Sequence, residues 1–339
     1  MEVPKMSEIN VSRDSKLIKV LAAQVNNQRV DSDKSEEAAQ IINELAQDMN
    51  PQNMHQIAQI VGFTVDELQQ KSLDFLNLVA DIKNIGYGDK AAFKVRTGGI
   101  KAVFQAKGAT APRSYVADSQ ILVDTKEIAA RPAINIVDLR TNRVQMSDLI
   151  RQANDAITLK KIALVETVLH NSIDDFGSPF YAASGNSVLV PATLDAQIAY
   201  FRRLGPVTLL GDLAAVGQLA GNTGMAVSST GVQFSGNMIE ENNNNGFIGR
   251  YKGCDVIAMT NAYADGQTAH PILAEDWIYI IPGGQSAEMR NLKIVNEGPV
   301  NSMASQNIDD RTYEILLDQW FGVAFVVGKN PTSGAHYIG

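Results

Sequence analysis

The residues best suited to chemistry are few and scattered. The chain carries four histidines, His55, His170, His270 and His336, and one cysteine, Cys254. Zinc sites draw on paired Cys and His a few positions apart, and no two of these five residues lie that close. No G-x-S-x-G elbow occurs, and no phosphate-binding loop ends in G-K-S or G-K-T. The glycines of GDLAAVGQLAG follow a strand-like run but lack the G-x-G-x-x-G spacing that lets backbone approach a pyrophosphate. Cys254 opens the apolar run CDVIAM, a setting for a core thiol rather than a nucleophile. Asp309 and Asp310 precede a strand-like run and read as a solvated turn rather than an acid–base pair. No catalytic residue, cofactor site or metal site is expected, and the chain does not read as an enzyme.

One binding pattern remains. HQIAQIVGFTVDEL has Ala58, Gly62 and Leu68 at helix-turn-helix spacing across residues 55–70. The reading helix would begin Val65, Asp66, Glu67, and carboxylates there repel phosphate. A packed helical hairpin suits these residues better, and a DNA-binding regulator stays as the alternative from another class. Composition points the same way. Over 339 residues the formal net charge is −8, with 45% hydrophobic and 19% charged residues. A sizeable core can form, but clustered basic charge for gripping nucleic acid is lacking. One cysteine allows no intrachain disulfide, which fits a reducing cytoplasm. No apolar run is long enough to cross a membrane. The opening MEVPKMSEINVSRDSK has no apolar core behind a basic head and does not read as a secretory signal.

Residues 1–34 are polar and read either as an extended arm or as an unstructured terminus. Residues 35–86 read as helical. SEEAAQIINELAQDM places Ala38, Ile41, Ile42 and Leu45 on one face, and Asn50-Pro51 ends it. A short helix MHQIAQIV follows. Thr64 and Glu67 then form a capping box that opens a further helix, which Gly86 closes. Residues 87–140 turn strand-like: AAFKVRTGGIKAVFQAKG and ILVDTKEIAARPAINIVDLR flank a soft tip, with Pro132 confined to an edge or bulge. These limbs have little apolar surface for their length and are marginal alone.

The strongest helix is MSDLIRQANDAITLKKIALVETVLHNSI, from Met146 to Ile173. Met146, Leu149, Ile150, Ala153, Ile157, Leu164 and Val168 form one stripe. Leu159, Ile162 and Leu169 put apolar groups on the opposite face, so the helix is expected to be covered on both sides. Lys160 and Lys161 interrupt the stripe, with stems that pack and ammonium groups that reach solvent or a partner. Beyond it, LDAQIAYFRRLG reads as helix, Val207 to Leu210 as a strand running into a helix, and CDVIAMTN and WIYIIPGG as buried strands. AEMRNLKIVNEG and TYEILLDQWFGVAFVVGKN read as strands, and the tail PTSGAHYIG as loop.

This order of elements resembles the major capsid proteins of tailed double-stranded DNA bacteriophages, the HK97-like fold. GYGDKAAFKV, TLLGDLAAV and WIYIIPGG carry local likeness, and the match runs from about Gly86 onward. The resemblance implies an α+β fold with an N-terminal helical arm, an E-loop hairpin, a long spine helix, a P-domain sheet and an inserted A-domain. It divides the chain into an arm at 1–86, an E-loop with flanking strands at 87–140, a P-domain at 141–184 and 285–339 containing the spine at 147–172, and an A-domain at 185–284. It implies a structural protein that self-assembles through hexameric and pentameric capsomers into an icosahedral shell around phage double-stranded DNA. The same-fold alternative is an encapsulin-type compartment. Expected partners are further copies of the chain, portal, scaffold or decoration proteins, and packaged DNA met without specific contact; no membrane is expected. The expected location is the virion capsid, assembled in the host bacterial cytoplasm. Lys94, Arg96, Lys101, Lys107 and Arg113 are expected at a subunit contact, because this basic hairpin would meet an otherwise acidic neighbour. Leu149, Ile157, Ile162, Leu164, Val168 and Leu169 are expected to pack the spine.

Overall fold

The structure is a computed structural model that describes residues 15–26, 28, 30–48, 50–72, 76–96, 118–141, 146–185, 188–222, 249–259, 261, 271, 274–282, 290–307, 309–327 and 333–338. It is an α+β protein. The first helices are α1 (Lys16–Val25), α2 (Ser32–Gln47), α3 (Pro51–Ser72) and the short α4 (Leu76–Val79). Within the stretch expected to be extended or unstructured, Lys16–Val25 are helical. The Ser15 side chain accepts a hydrogen bond from the Ile18 amide, and Ile18, Leu21, Ala22 and Val25 are buried. Helix α2 buries Ala38, Ile42 and Leu45.

Residues 55–70 form part of one uninterrupted helix, α3, which removes the turn that a helix-turn-helix needs. Thr64 does not cap a helix. It is fully buried, and its hydroxyl donates back to the Ile60 carbonyl at 2.7 Å. Gly62 lets the helix lie against the sheet, since a Cβ there would stand 2.6 Å from Ser302 Oγ. After α4 the chain does not stay helical to Gly86. It becomes β1 (Ala80–Ile85), because a parallel partner far along the sequence captures it.

The hairpin follows as β2 (Ala91–Arg96) and β3 (Asp118–Val123), paired antiparallel with Ala91 opposite Val123 and Arg96 opposite Asp118. Then come β4 (Lys126–Ala130) and β5 (Ala133–Asn135), both on the same neighbouring strand, with Pro132 in the break between them. Residues Ile136–Arg140 form the short helix α5 where strand was expected. The long helix is α6 (Met146–Asp174). After it come β6 (Tyr181–Ala183), α7 (Pro191–Arg202), β7 (Val207–Asp212), α8 (Leu213–Asn222), β8 (Arg250–Tyr251), β9 (Cys254–Met259) and β10 (Trp277–Pro282). The last three strands are β11 (Leu292–Asn307), β12 (Thr312–Phe325) and β13 (Gly334–Tyr337).

The strands form three sheets. One runs β1-β11-β12-β4, with β5 also on β12; one runs β6-β13-β10-β7-β9-β8; the third is the hairpin β2-β3. The tail expected as loop is therefore partly strand. Strand β13 sits between β6 and β10, with His336 opposite Ile278. Helix α6 lies between the two larger sheets. Met146, Leu149, Ile150, Ala153 and Ile157 share one core with Ile294, Ile315, Leu317 and Phe321 of the first sheet and with Leu210, Tyr279 and Ala335 of the second. Near its C-terminus, His170 meets Trp277 edge-on with ring centroids 4.2 Å apart. Glu166 accepts a hydrogen bond from the Ala274 amide at 2.6 Å, while burial raises its pKa. The buried residues of α6 form one row that moves round the helix from Met146 to Ile173, while Leu159, Ile162, Leu164 and Val168, expected to be covered, are half-buried.

Candidate subunit-contact site

Of the residues singled out for subunit contact, Lys94 and Arg96 fall on the hairpin. Lys94 is exposed on β2 opposite Gln120, and Arg96 ends that strand. Lys101, Lys107 and Arg113 lie outside the described residues. Alternation along β2 explains the local geometry: Ala91, Phe93 and Val95 point inward and Lys94 outward. Across the hairpin Leu122 is 54% exposed, leaving apolar surface on β3 uncovered within this subunit.

The base of the hairpin is fixed to its own subunit. Ala91, Phe93 and Val123 bury against Val295 of β11 in a small cluster of their own. Two ammonium groups stand over the Phe93 ring, Lys83 at 4.6 Å and Lys293 at 5.4 Å from its centroid. Lys83 also donates to the Ala92 carbonyl at 2.5 Å, and buried Lys293 forms an ion pair with Asp81 at 2.9 Å. Removing either member of that pair would strand a buried charge, so the pair fixes β1 beside β11 more than it adds net stability.

The spine residues sit as follows. Leu149, Ile157 and Leu169 are buried; Ile162 and Leu164 are half-buried against the same core; Val168 is half-buried. Beyond Ile157 the buried row continues through Lys161, Val165, Leu169 and Ile173. The row follows steps of four because the helix turns its covered face as it passes from one sheet to the next. Lys161 therefore reaches a partner inside the protein, not solvent. It donates to Gln69 Oε1 at 2.9 Å and Gln319 Oε1 at 2.5 Å, and its ammonium lies 5.2 Å from the Phe321 ring centroid. Gln69 in turn donates to Asn154 Oδ1 and Thr158 Oγ1. Burial brings the Lys161 pKa down to about 8, against the opposing attraction of Asp66. This network ties α3, α6 and β12 together. Its one sequence signal was the spacing of Lys161 four residues after Ile157.

One arrangement has the connectivity of a hydrolytic triad. Ser184 Oγ and His336 Nε2 are 2.8 Å apart, and His336 Nδ1 is 2.8 Å from Gln197 Oε1. Its chemistry is structural. Burial weakens the imidazole to about 4, too weak a base to activate a hydroxyl at neutral pH. The serine oxygen already accepts from the Val190 amide, and Gln197 donates to the Ala335 carbonyl. The line pins β13 into its sheet. Cys254 is fully buried, and that burial raises its thiol pKa. Asp309 and Asp310 are exposed in the β11–β12 turn. Among the described residues no group of three His, Cys, Asp or Glu could hold a metal ion, and no helix is long and apolar enough to cross a membrane.

Comparison with solved structures places this fold. The cyanophage P-SCSP1u capsid protein aligns with a TM-score of 0.53 at 10% identity, over 78% of this chain and 88% of its own. The bacteriophage PhiM1 mature capsid gives 0.50 at 12%, over 78% and 86%. The capsid of an empty GTA particle gives 0.50 at 12%, over 78% and 89%. At such identities the likeness is one of fold. No curated protein matches the sequence. The family model described as "SPbeta prophage-derived putative capsid protein YonB" matches residues 5–334. With that match covering nearly the whole chain and a fold like that of phage capsids beneath it, the chain belongs to the YonB family of prophage-derived capsid proteins.

Proposed function

We propose that this capsid protein assembles through hexameric and pentameric capsomers into an icosahedral shell around phage double-stranded DNA, in the cytoplasm of the host bacterium. The observation that carries the reading is the hairpin: a root locked to its own sheet by Phe93, Lys83 and Lys293, and limbs that leave Leu122 and Lys94 uncovered. Exposed apolar and basic groups on this pair of strands suit a neighbouring acidic copy. Residues 93–139 then act as an E-loop lying on the next subunit, with Lys94, Arg96, Lys101, Lys107 and Arg113 setting its register.

In this reading residues 1–86 form the arm, 87–140 the E-loop and its strands, 141–184 and 285–339 the P-domain, and 185–284 the A-domain. Strands β6 and β13 carry hydrogen bonds from the P-domain segments into the A-domain sheet and so join the two. The helices of 35–86 pack on the subunit and do not read DNA: Asp66, at the start of the alternative reading helix, is buried and accepts from the Val300 amide at 3.2 Å. An acidic shell confines DNA without gripping it. Portal, scaffold or decoration proteins would meet it as partners. Deleting Gly98 to Ser119 tests the reading. The shortened subunit is expected to stay soluble and fail to form stable shells, and shells indistinguishable from those of the full chain would overturn it.

A further inference from the structure

The two legs of the hairpin cross the first sheet side by side. The incoming leg rests on Gly298, where a Cβ would lie 2.3 Å from the Tyr87 ring, and Gly298 has a φ of +68° that favours glycine. The Tyr87 hydroxyl donates to the Pro299 carbonyl at 2.6 Å. The outgoing leg rests on Gly322, where a Cβ would lie 2.6 Å from the Asp124 carbonyl oxygen. Between these two glycines, on β11 and opposite Trp320, stands Glu297. One of its carboxylate oxygens accepts from the Gly88 amide at 2.8 Å, and the other accepts from the Thr125 hydroxyl. Gly88 belongs to the incoming leg and Thr125 to the outgoing one.

We propose that Glu297 is the positioning residue that sets the angle of the hairpin's two legs on the first sheet, holding one leg with each oxygen of a single carboxylate. Bonds to a charged acceptor are shorter and stronger than neutral ones, so the side chain resists splaying of the legs. It stands where the first sheet is already irregular, since the β11–β12 register shifts between Glu297 and Asn301. The legs are thereby held relative to the sheet at a point where the strand ladder itself leaves freedom. Beyond the latch Ala91, Phe93 and Val123 pack on Val295, so the latch fixes the legs where they enter that packing. Control of that angle in the free subunit would decide whether the arm meets a neighbour in one pose or several, a consequence that rests on the capsid reading.

The test reads the angle before any assembly. Nitroxide labels are placed at Gln120→Cys on the hairpin and Ser305→Cys on the sheet; both native residues are exposed, and the native Cys254 thiol is buried. Pulsed electron resonance on dilute subunits is expected to give one narrow distance distribution for the otherwise wild-type chain. Glu297→Ala should broaden it, and Thr125→Val, which frees only the outgoing leg, should broaden it less. The Gly88 amide should exchange at least about tenfold faster in Glu297→Ala, while the Ile315 amide in the β12 core keeps its protection. If Glu297→Ala does not fold, Thr125→Val alone decides. Unchanged distance widths in the soluble variants would overturn the latch. A wild-type chain that shows the latch but forms no shells would leave Glu297 standing and remove the proposed shell assembly instead.

Discussion

Replacing Lys161 with Met probes the polar knot between α3, α6 and β12, and its magnitude follows from the structure. The gap between an ordinary lysine at 10.5 and about 8 in the folded chain corresponds to roughly 3 kcal/mol. Methionine fills similar space and removes that cost. It also leaves the Gln69 and Gln319 oxygens without their buried donor. Two orphaned acceptors cost about 1–3 kcal/mol each, which straddles the relief, so Lys161→Met should leave stability at pH 7 between nearly unchanged and about 3 kcal/mol lower. The pH dependence is the sharper signature. At pH 7 the lysine is protonated in both folded and unfolded chains. Between about 8 and 10.5 the unfolded chain keeps its proton after the folded chain has released it, so stability rises with pH across that window. Urea unfolding of both proteins, followed by tryptophan fluorescence at several pH values, should show the wild type gaining roughly 3 kcal/mol on the variant from pH 8 to 10.5. Parallel curves would show that Lys161 keeps an ordinary pKa and that its burial is not as drawn.

Leu169→Ala should cost about 2–5 kcal/mol by urea unfolding, and the half-buried Leu164→Ala clearly less; equal losses would contradict the observed turn of the covered face. Gly62→Ala should cost about 1–3 kcal/mol, because its Cβ would meet both Oγ and Cβ of Ser302 where α3 crosses β11, and a neutral result would mean the helix stands further off. His336 takes its proton at about 4 in the folded chain and at an ordinary 6.5 in the unfolded one. Stability should therefore fall by roughly 3 kcal/mol as pH drops through that interval, and His336→Asn should lose this component of the slope.

The long periodic elements were legible in the sequence because their signals are local. Helix α6 and strands β7, β9, β10 and β12 each carry a period or an apolar run that tertiary contacts reinforce. The errors came where distant chain decides. Residues Ala80–Ile85 follow a helix without a break in composition, yet pair in parallel with Leu292–Glu297. GAHY in the tail is strand only because β6 and β10 flank it. Thr64 and Glu67 carry a start signature that the packing of α3 on β11 overrides, while Ile18, Leu21, Ala22 and Val25 hold a helical period that the polar character of residues 1–34 masked. The candidate site was half visible. Alternation and charge marked out the hairpin, but Lys293, Glu297 and the glycines beneath its legs reach it from the far end of the chain, where nothing in their local sequence points to a hairpin. Lys161 reads in sequence only as reaching solvent or a partner, because the glutamines that receive it, Gln69 and Gln319, lie far away along the chain.

The chain is proposed to build a shell from copies of itself. Negative-stain electron microscopy of the full-length protein, expressed in bacterial cells and purified across a range of concentration and salt, tests it most directly. Closed hollow particles of uniform diameter, with hexameric and pentameric units on their surface, are the expected result. A chain that stays monomeric or forms only small oligomers under every condition would contradict it.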